Sequence, residues 1–153
     1  MGLPKDFKEF IELATSMNLK FVIVGGWAYN RYVEPRVTGD IDFFVENSPE
    51  SERLVRQLLI EFGFGSVLPS GPLFNKDVIM LGRAPNRIDL LTKIDGVTFE
   101  EAWNSREYEV MDSLRVPYIS RQLLVKNKQS TGRAKDQLDV IALMQNATDQ
   151  EAS

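Results

Sequence analysis

The sequence predicts a single α/β domain built on a small mixed sheet flanked by helices. Three observations carry that expectation. Short apolar runs suited to buried strands, beginning with Phe21–Val24, alternate with stretches whose apolar residues recur at the helical period. Gly25 and Gly26 follow the first run directly and turn the chain from strand into helix. The segment Asp40-Ile41-Asp42-Phe43-Phe44-Val45 then opens a second strand with carboxylates at i and i+2, on one face because strand side chains alternate. Paired carboxylates at the head of an apolar strand are costly to keep ionised without a counter-charge. A bound cation is the simplest remedy. The expected arrangement places helices mainly on one face of the sheet and the aspartates at one sheet edge of a cleft.

Each element has its own local reason. Residues 6–17 carry Phe7, Phe10, Ile11, Ala14 and Met17 as one apolar stripe, giving an amphipathic helix that stops near Asn18. Ser48 is a helix cap, Pro49 suits the first turn, and Glu50 and Glu52 favour the positive end of the dipole. Leu54, Val55, Leu58, Leu59 and Phe62 supply that helix's buried stripe, and Gly63 ends it. Residues 65–85 are rich in turn signals but include a short strand, Val78–Leu81. Pro85-Asn86 turns the chain into Arg87–Leu91, where Asp89 is a third carboxylate set inside an apolar strand. Thr98 and Glu101 form a capping box for a short helix. Asp112-Ser113 is the turn of a small hairpin. Ser120 caps a helix expected to run to about Val125, and a last helix is expected over residues 134–145 with Leu138, Ile141 and Ala142 inward. Residues 1–147 are thus read as one domain, and 148–153 as a polar, frayed tail.

Composition narrows the chemistry. The 153 residues suit one domain with an ordinary core, and 43% hydrophobic with 26% charged residues is typical of a soluble globular protein. No apolar run approaches the roughly 20 residues of a membrane span, and no signal peptide is evident, so the expectation is a cytoplasmic protein without a membrane partner. There is no cysteine and no histidine. Disulfides, thiol nucleophiles, Ser-His-Asp triads and Cys/His zinc sites are therefore excluded. Any metal must be held by oxygen, which favours Mg2+ or Mn2+. A net charge of −4 argues against a broad nucleic-acid surface.

Asp40, Asp42 and Asp89 downstream of a Gly-Gly turn form more than a lone motif. A glycine pair lets backbone N–H groups approach a phosphate, and the helix N-terminus adds a favourable dipole. Metal ions that share such carboxylates can clamp an in-line phosphoryl displacement. Taken singly, the glycine turn reads as a tight strand–helix connection. Asp40-Ile41-Asp42 alone reads equally as a solvated strand start or as the metal site of a diphosphate-sugar glycosyltransferase. Arg36 and Thr38 precede the aspartates in a loop, which they either order or join to phosphate. Trp27 and Tyr29 read as packing residues rather than base-stacking ones. Lys126, Lys128, Arg133 and Lys135 read as a loop and helix start placed to meet phosphate or acceptor, against local pairing such as Lys135 with Asp139. Asp136 is expected to orient a lysine.

Val24-Gly25-Gly26, then Asp40-Ile41-Asp42, then Asp89 in Arg87-Ile88-Asp89-Leu90-Leu91 resemble the pattern of the DNA polymerase beta-like nucleotidyltransferase superfamily, over roughly residues 20–91. The run from Asn127 to Asp136 is similar to the C-terminal signature of its small stand-alone members, including toxin–antitoxin nucleotidyltransferases. The resemblance implies that Asp40 and Asp42 bind magnesium, that Asp89 activates an acceptor hydroxyl, and that the glycine turn holds a nucleoside triphosphate such as ATP. Arg36, Thr38, Lys128, Arg133 and Lys135 would assist at the nucleotide. The implied reaction moves a nucleoside monophosphate to an RNA, protein or small-molecule hydroxyl and releases pyrophosphate. The chain is short, which favours a partner protein that supplies or is the acceptor, or a homodimer completing the cleft. One departure stands out: many members carry Ser where this chain has Gly26, so the triphosphate would lean on backbone and basic groups. The other reading is a non-catalytic nucleotide-binding or antitoxin-like module.

Overall fold

The sheet grows outward from β1 (Phe21–Val24), whose four side chains are all buried. Four apolar residues between Lys20 and the glycine pair can satisfy their backbone groups and bury both faces only as an inner strand. β1 pairs antiparallel with β2 (Asp40–Val45), with Phe21 opposite Val45 and Val24 opposite Asp42. On its other side it runs parallel to β6 (Leu114–Tyr118). β2 in turn runs parallel to β4 (Arg87–Leu91), which is flanked antiparallel by β3 (Val78–Leu81). β5 (Glu107–Met111) closes the far edge, giving a six-stranded mixed sheet in the order β3-β4-β2-β1-β6-β5. This computed structural model describes residues 3–152, with side chains through residue 146. It forms one mixed α/β domain, as the sequence predicts.

Helices cover both faces, which corrects the one-sided expectation. Phe43 meets Phe10 of α1 (Lys5–Ser16) at 4.9 Å between ring centroids, whereas its neighbour Phe44 meets Phe99 of α4 (Phe99–Asn104) at 5.3 Å. Adjacent strand residues point to opposite faces, so both faces of β2 are roofed. Burying each such ring contributes about 1.5–3 kcal/mol. The aspartates also differ from expectation. They sit on β2 and β4, adjacent inner strands rather than a sheet edge.

The local signals hold where sequence-near groups decide them. Asn18 takes a left-handed φ of 60° just beyond α1. Ser48 accepts from the Ser51 N–H at the start of α3 (Pro49–Leu59), and a wide helical turn follows until Gly63 breaks it. Thr98 and Glu101 make the capping box. Asp112 and Ser113 turn the β5–β6 hairpin with φ of 50° and 69°, the pattern that matches strand twist.

The C-terminal helices depart further. α5 spans Arg121–Ser130, past the expected stop at Val125, because nothing between Lys126 and Ser130 breaks a helix. α6 spans Ala134–Ala152 and so continues through the stretch read as a polar tail; Ser153 lies outside the described residues. Its buried face is also different. Leu138 and Ile141 are 69% and 54% exposed, while Asp136, Asp139, Val140 and Leu143 are buried. The aspartates can face inward because cations from elsewhere in the fold neutralise them. Among the described residues, no helix is long and apolar enough to cross a membrane.

Candidate functional site

The parallel register of β2 and β4 sets Asp42 beside Asp89 and Asp40 beside Arg87, all on one sheet face. Oxygen atoms of Asp40, Asp42 and Asp89 lie within 4.8 Å of one another. Arg87 bridges the group: its Nη2 donates to Asp40 Oδ2 at 2.7 Å, and its Nε and Nη2 donate to the Asp89 carboxylate at 2.9 and 3.0 Å. The cation anticipated from the aspartate spacing therefore has a partial substitute within the chain. The sequence signal for it is Arg87-Ile88-Asp89, where i and i+2 share a strand face.

One guanidinium does not balance three carboxylates. Burial, then Asp40 and Asp89, push the Asp42 carboxyl up to about 8. Burial also raises Asp89, against the opposing hydrogen bonds from Arg87. A group of carboxylates that retains a proton near neutrality has room for more positive charge. The donors are all oxygen, so the residues fit a hard divalent cation such as Mg2+ or Mn2+.

The glycine turn is built against this cluster. Gly25 has φ of 68°, and a Cβ there would collide with Asp42 Oδ2. Only glycine allows α2 (Gly25–Tyr32) to begin so close to the carboxylate. A Cβ on Gly26 would lie 2.9 Å from Thr38 Oγ1 and 3.2 Å from Thr38 Cβ. Thr38 thus fills the space that a side chain at position 26 would need. Its hydroxyl is 3.2 Å from both Asp40 O and Asp40 Oδ1.

The remaining site candidates gather in a second network. Arg36 donates from both terminal nitrogens to Asp139 at 2.9 Å and lies 3.9 Å above the Tyr29 ring. Lys128, buried on α5, donates to Asp139 at 2.8 Å and to Asp136 at 3.4 Å. Arg133 and Thr131 donate to Asp136 Oδ2, each at 2.7 Å. Burial alone would raise the Asp139 carboxyl, but Arg36 and Lys128 outweigh it and hold it down at about 2. Asp136 is lowered likewise, with Thr131, Lys128 and Arg133 outweighing burial.

The expectation of a basic loop is corrected here. Lys126 and Lys128 stand on a helix, Lys126 pairs with Glu101 at 3.0 Å, and Lys128 is enclosed. Asp139 takes Arg36 and Lys128 rather than Lys135, which is exposed. Asp136 does hold a lysine, as expected. Tyr29 is a packing residue, buried under Arg36, and Trp27 packs edge-on to Phe7 with centroids 5.7 Å apart. The structure therefore brings Gly25, Gly26, Thr38, Asp40, Asp42 and Asp89 together, and collects Arg36, Lys128 and Arg133 around Asp136 and Asp139.

No family model matches this chain, and no curated protein matches it by sequence. Solved structures do match by fold. The lincosamide antibiotic adenylyltransferase LnuA, in its lincomycin-bound form, aligns with a TM-score of 0.57 at 13% identity, over 94% of this chain and 98% of its own. An antigenic nucleotidyltransferase-like protein from Paracoccidioides brasiliensis aligns with a TM-score of 0.55 at 14% identity, over 95% of this chain and 78% of its own. The fold is that of nucleotidyltransferases.

Proposed function

We propose that this chain is a cytoplasmic, metal-dependent nucleotidyltransferase that moves a nucleoside monophosphate from a triphosphate, ATP among them, to an acceptor hydroxyl. The observation that carries this reading is the register that sets Asp40, Asp42 and Asp89 on one face against the Gly25-Gly26 turn. In this reading Asp40 and Asp42, with Asp89, hold Mg2+ or Mn2+. A metal held there would supply Lewis-acid stabilisation of charge on the phosphates and would lower the pKa of the acceptor hydroxyl. The backbone N–H groups at the start of α2 receive phosphate oxygens, and the Thr38 hydroxyl stands in the space left by the absent side chain at position 26. Asp89 accepts the proton of the attacking hydroxyl. The acceptor oxygen bonds to the α-phosphorus, the bond from that phosphorus to the bridging oxygen breaks, and pyrophosphate leaves. Arg87 holds Asp40 and Asp89 in place. The Asp136–Asp139 network fixes Arg36 and Lys128, while Arg133 and Lys135 remain exposed enough to meet a phosphate.

The neighbour named as a lincosamide adenylyltransferase supports a small-molecule acceptor over RNA or protein. A non-catalytic or antitoxin-like module is the second reading, favoured by the Arg87 bridge already occupying the aspartates. Thermal-shift measurements with each nucleoside triphosphate, with and without magnesium, separate them. Stabilisation that needs both metal and nucleotide and is lost in Asp42→Ala supports the enzyme. No response to any triphosphate would sink it.

A further inference from the structure

In-line displacement limits where an acceptor can stand. The attacking oxygen and the departing pyrophosphate lie on opposite sides of the α-phosphorus. The glycine turn follows β1 and is built against Asp42 on β2. Across the sheet the strands run in the order β1-β2-β4-β3. A triphosphate seated at the turn therefore leaves the far side of the aspartates, toward β3, for the acceptor.

The register shows what stands on that side. Met80 of β3 is paired with Asp89, and Asp89 with Asp42. Directly paired residues share a sheet face, and adjacent strands lie about 4.8 Å apart. On that face Asp89 is bordered by Asp42 and Met80 across the ladders, and by Arg87 and Leu91 along its own strand. Asp89 is itself buried, and of its four neighbours Met80 is the most open, at 61% exposed. Val78, paired with Leu91, continues the same face, and both are half-buried. An apolar ledge thus adjoins Asp89 on the side away from the glycine turn. Its three side chains bear no charge to recognise a phosphate or a carboxylate, and a thioether adapts to carbon frames of differing shape.

We propose that Met80, with Val78 and Leu91, forms the acceptor wall beside the aspartates and selects an alcohol whose carbon frame next to the hydroxyl is apolar. The proposal rests on the nucleotidyltransferase reading of those aspartates. The alcohol oxygen bonds to the α-phosphorus, its proton passes to Asp89, and the electrons of the broken phosphorus–oxygen bond leave with pyrophosphate. Met80 takes no part in either transfer; it reads the acceptor.

The test uses the full chain with 13C-methyl-labelled methionine, the Met80 signal being assigned by its loss in Met80→Gln. Mn2+ with α,β-methylene ATP, whose bridge resists cleavage, should broaden the Met80 methyl. With magnesium in place of manganese, 4-fluorophenethyl alcohol should shift that methyl saturably, and myo-inositol, which has no apolar frame, should not. Met80→Gln should weaken the fluorinated alcohol about fivefold in 19F NMR titrations and keep the thermal shift given by magnesium and the analogue. Alcohol binding that is absent, that leaves the Met80 methyl unmoved, or that is equal in the parent chain and Met80→Gln overturns the proposal. So does inositol binding as tightly as the aryl alcohol. A chain that magnesium and the analogue stabilise, but whose Met80 methyl Mn2+ does not broaden, overturns the acceptor wall alone. A chain stabilised by neither the analogue nor ATP loses the nucleotidyltransferase reading, and the proposal with it.

Discussion

Asp42→Asn is expected to raise the thermal stability of the metal-free protein while abolishing its response to magnesium and nucleotide. In the unfolded chain this carboxyl titrates near 3.8; in the fold, burial followed by Asp40 and Asp89 pushes it up to about 8. Between those values the native state holds a proton that the unfolded chain has released, so stability falls as pH rises through that window. A full proton costs about 1.4 kcal/mol per pH unit, so an isolated site would have lost roughly 4 kcal/mol by pH 7. Sharing of that proton among the coupled carboxylates reduces this to a working figure of about 2 kcal/mol. Asparagine has the same shape, bears no charge, and can donate to Asp89. In EDTA at pH 7 the variant should therefore melt roughly 4–8 °C above the parent chain, a gap that closes toward pH 4. Calorimetry across pH, paired with a magnesium titration, measures both effects. An Asp42→Asn protein that is folded but no more stable than the parent at pH 7 would refute the electrostatic reasoning.

Four further outcomes follow from the same geometry. Arg87→Met removes the guanidinium that bridges Asp40 and Asp89, so its melting temperature should drop in EDTA and partly recover in magnesium. Gly26→Ser places a Cβ 2.9 Å from Thr38 Oγ1 and should destabilise by about 1–2 kcal/mol in urea titrations, a loss largely relieved when Thr38→Ala is added. Asp139→Asn strips the shared partner from Arg36 and buried Lys128 and should cost about 3 kcal/mol at pH 7. Because that carboxyl is held down at about 2, the parent's advantage is present above its ordinary value near 3.8 and is lost on acidification toward pH 2. Ser113→Gly relieves a φ of 69° in the hairpin turn and should add about 0.5 kcal/mol, read from the denaturation midpoint.

Much of the fold was legible because its causes are local. Ser48, Thr98 and Asn18 act within a few residues of themselves, and the apolar runs mark the strands directly. The helix faces were harder. Leu138 and Ile141 read as inward because apolar groups usually face the core, yet Asp136 and Asp139 take that face once Lys128, Arg36 and Arg133 are brought to them. Periodicity weighs a charge as solvent-seeking and has no knowledge of its partner. The same blindness turned Lys128 from an enclosed ion-pair member into an expected loop lysine.

The sequence by itself determined the glycine turn, the strand that bears Asp40 and Asp42, and the oxygen-only chemistry imposed by the absence of histidine and cysteine. Only the tertiary structure decided that Asp89 stands level with Asp42, that Arg87 reaches Asp40 across 47 positions of chain, and that Thr38 fills the space beside Gly26. Strand spacing is fixed by alternation along one segment, whereas register between segments is set by the packing of both sheet faces at once.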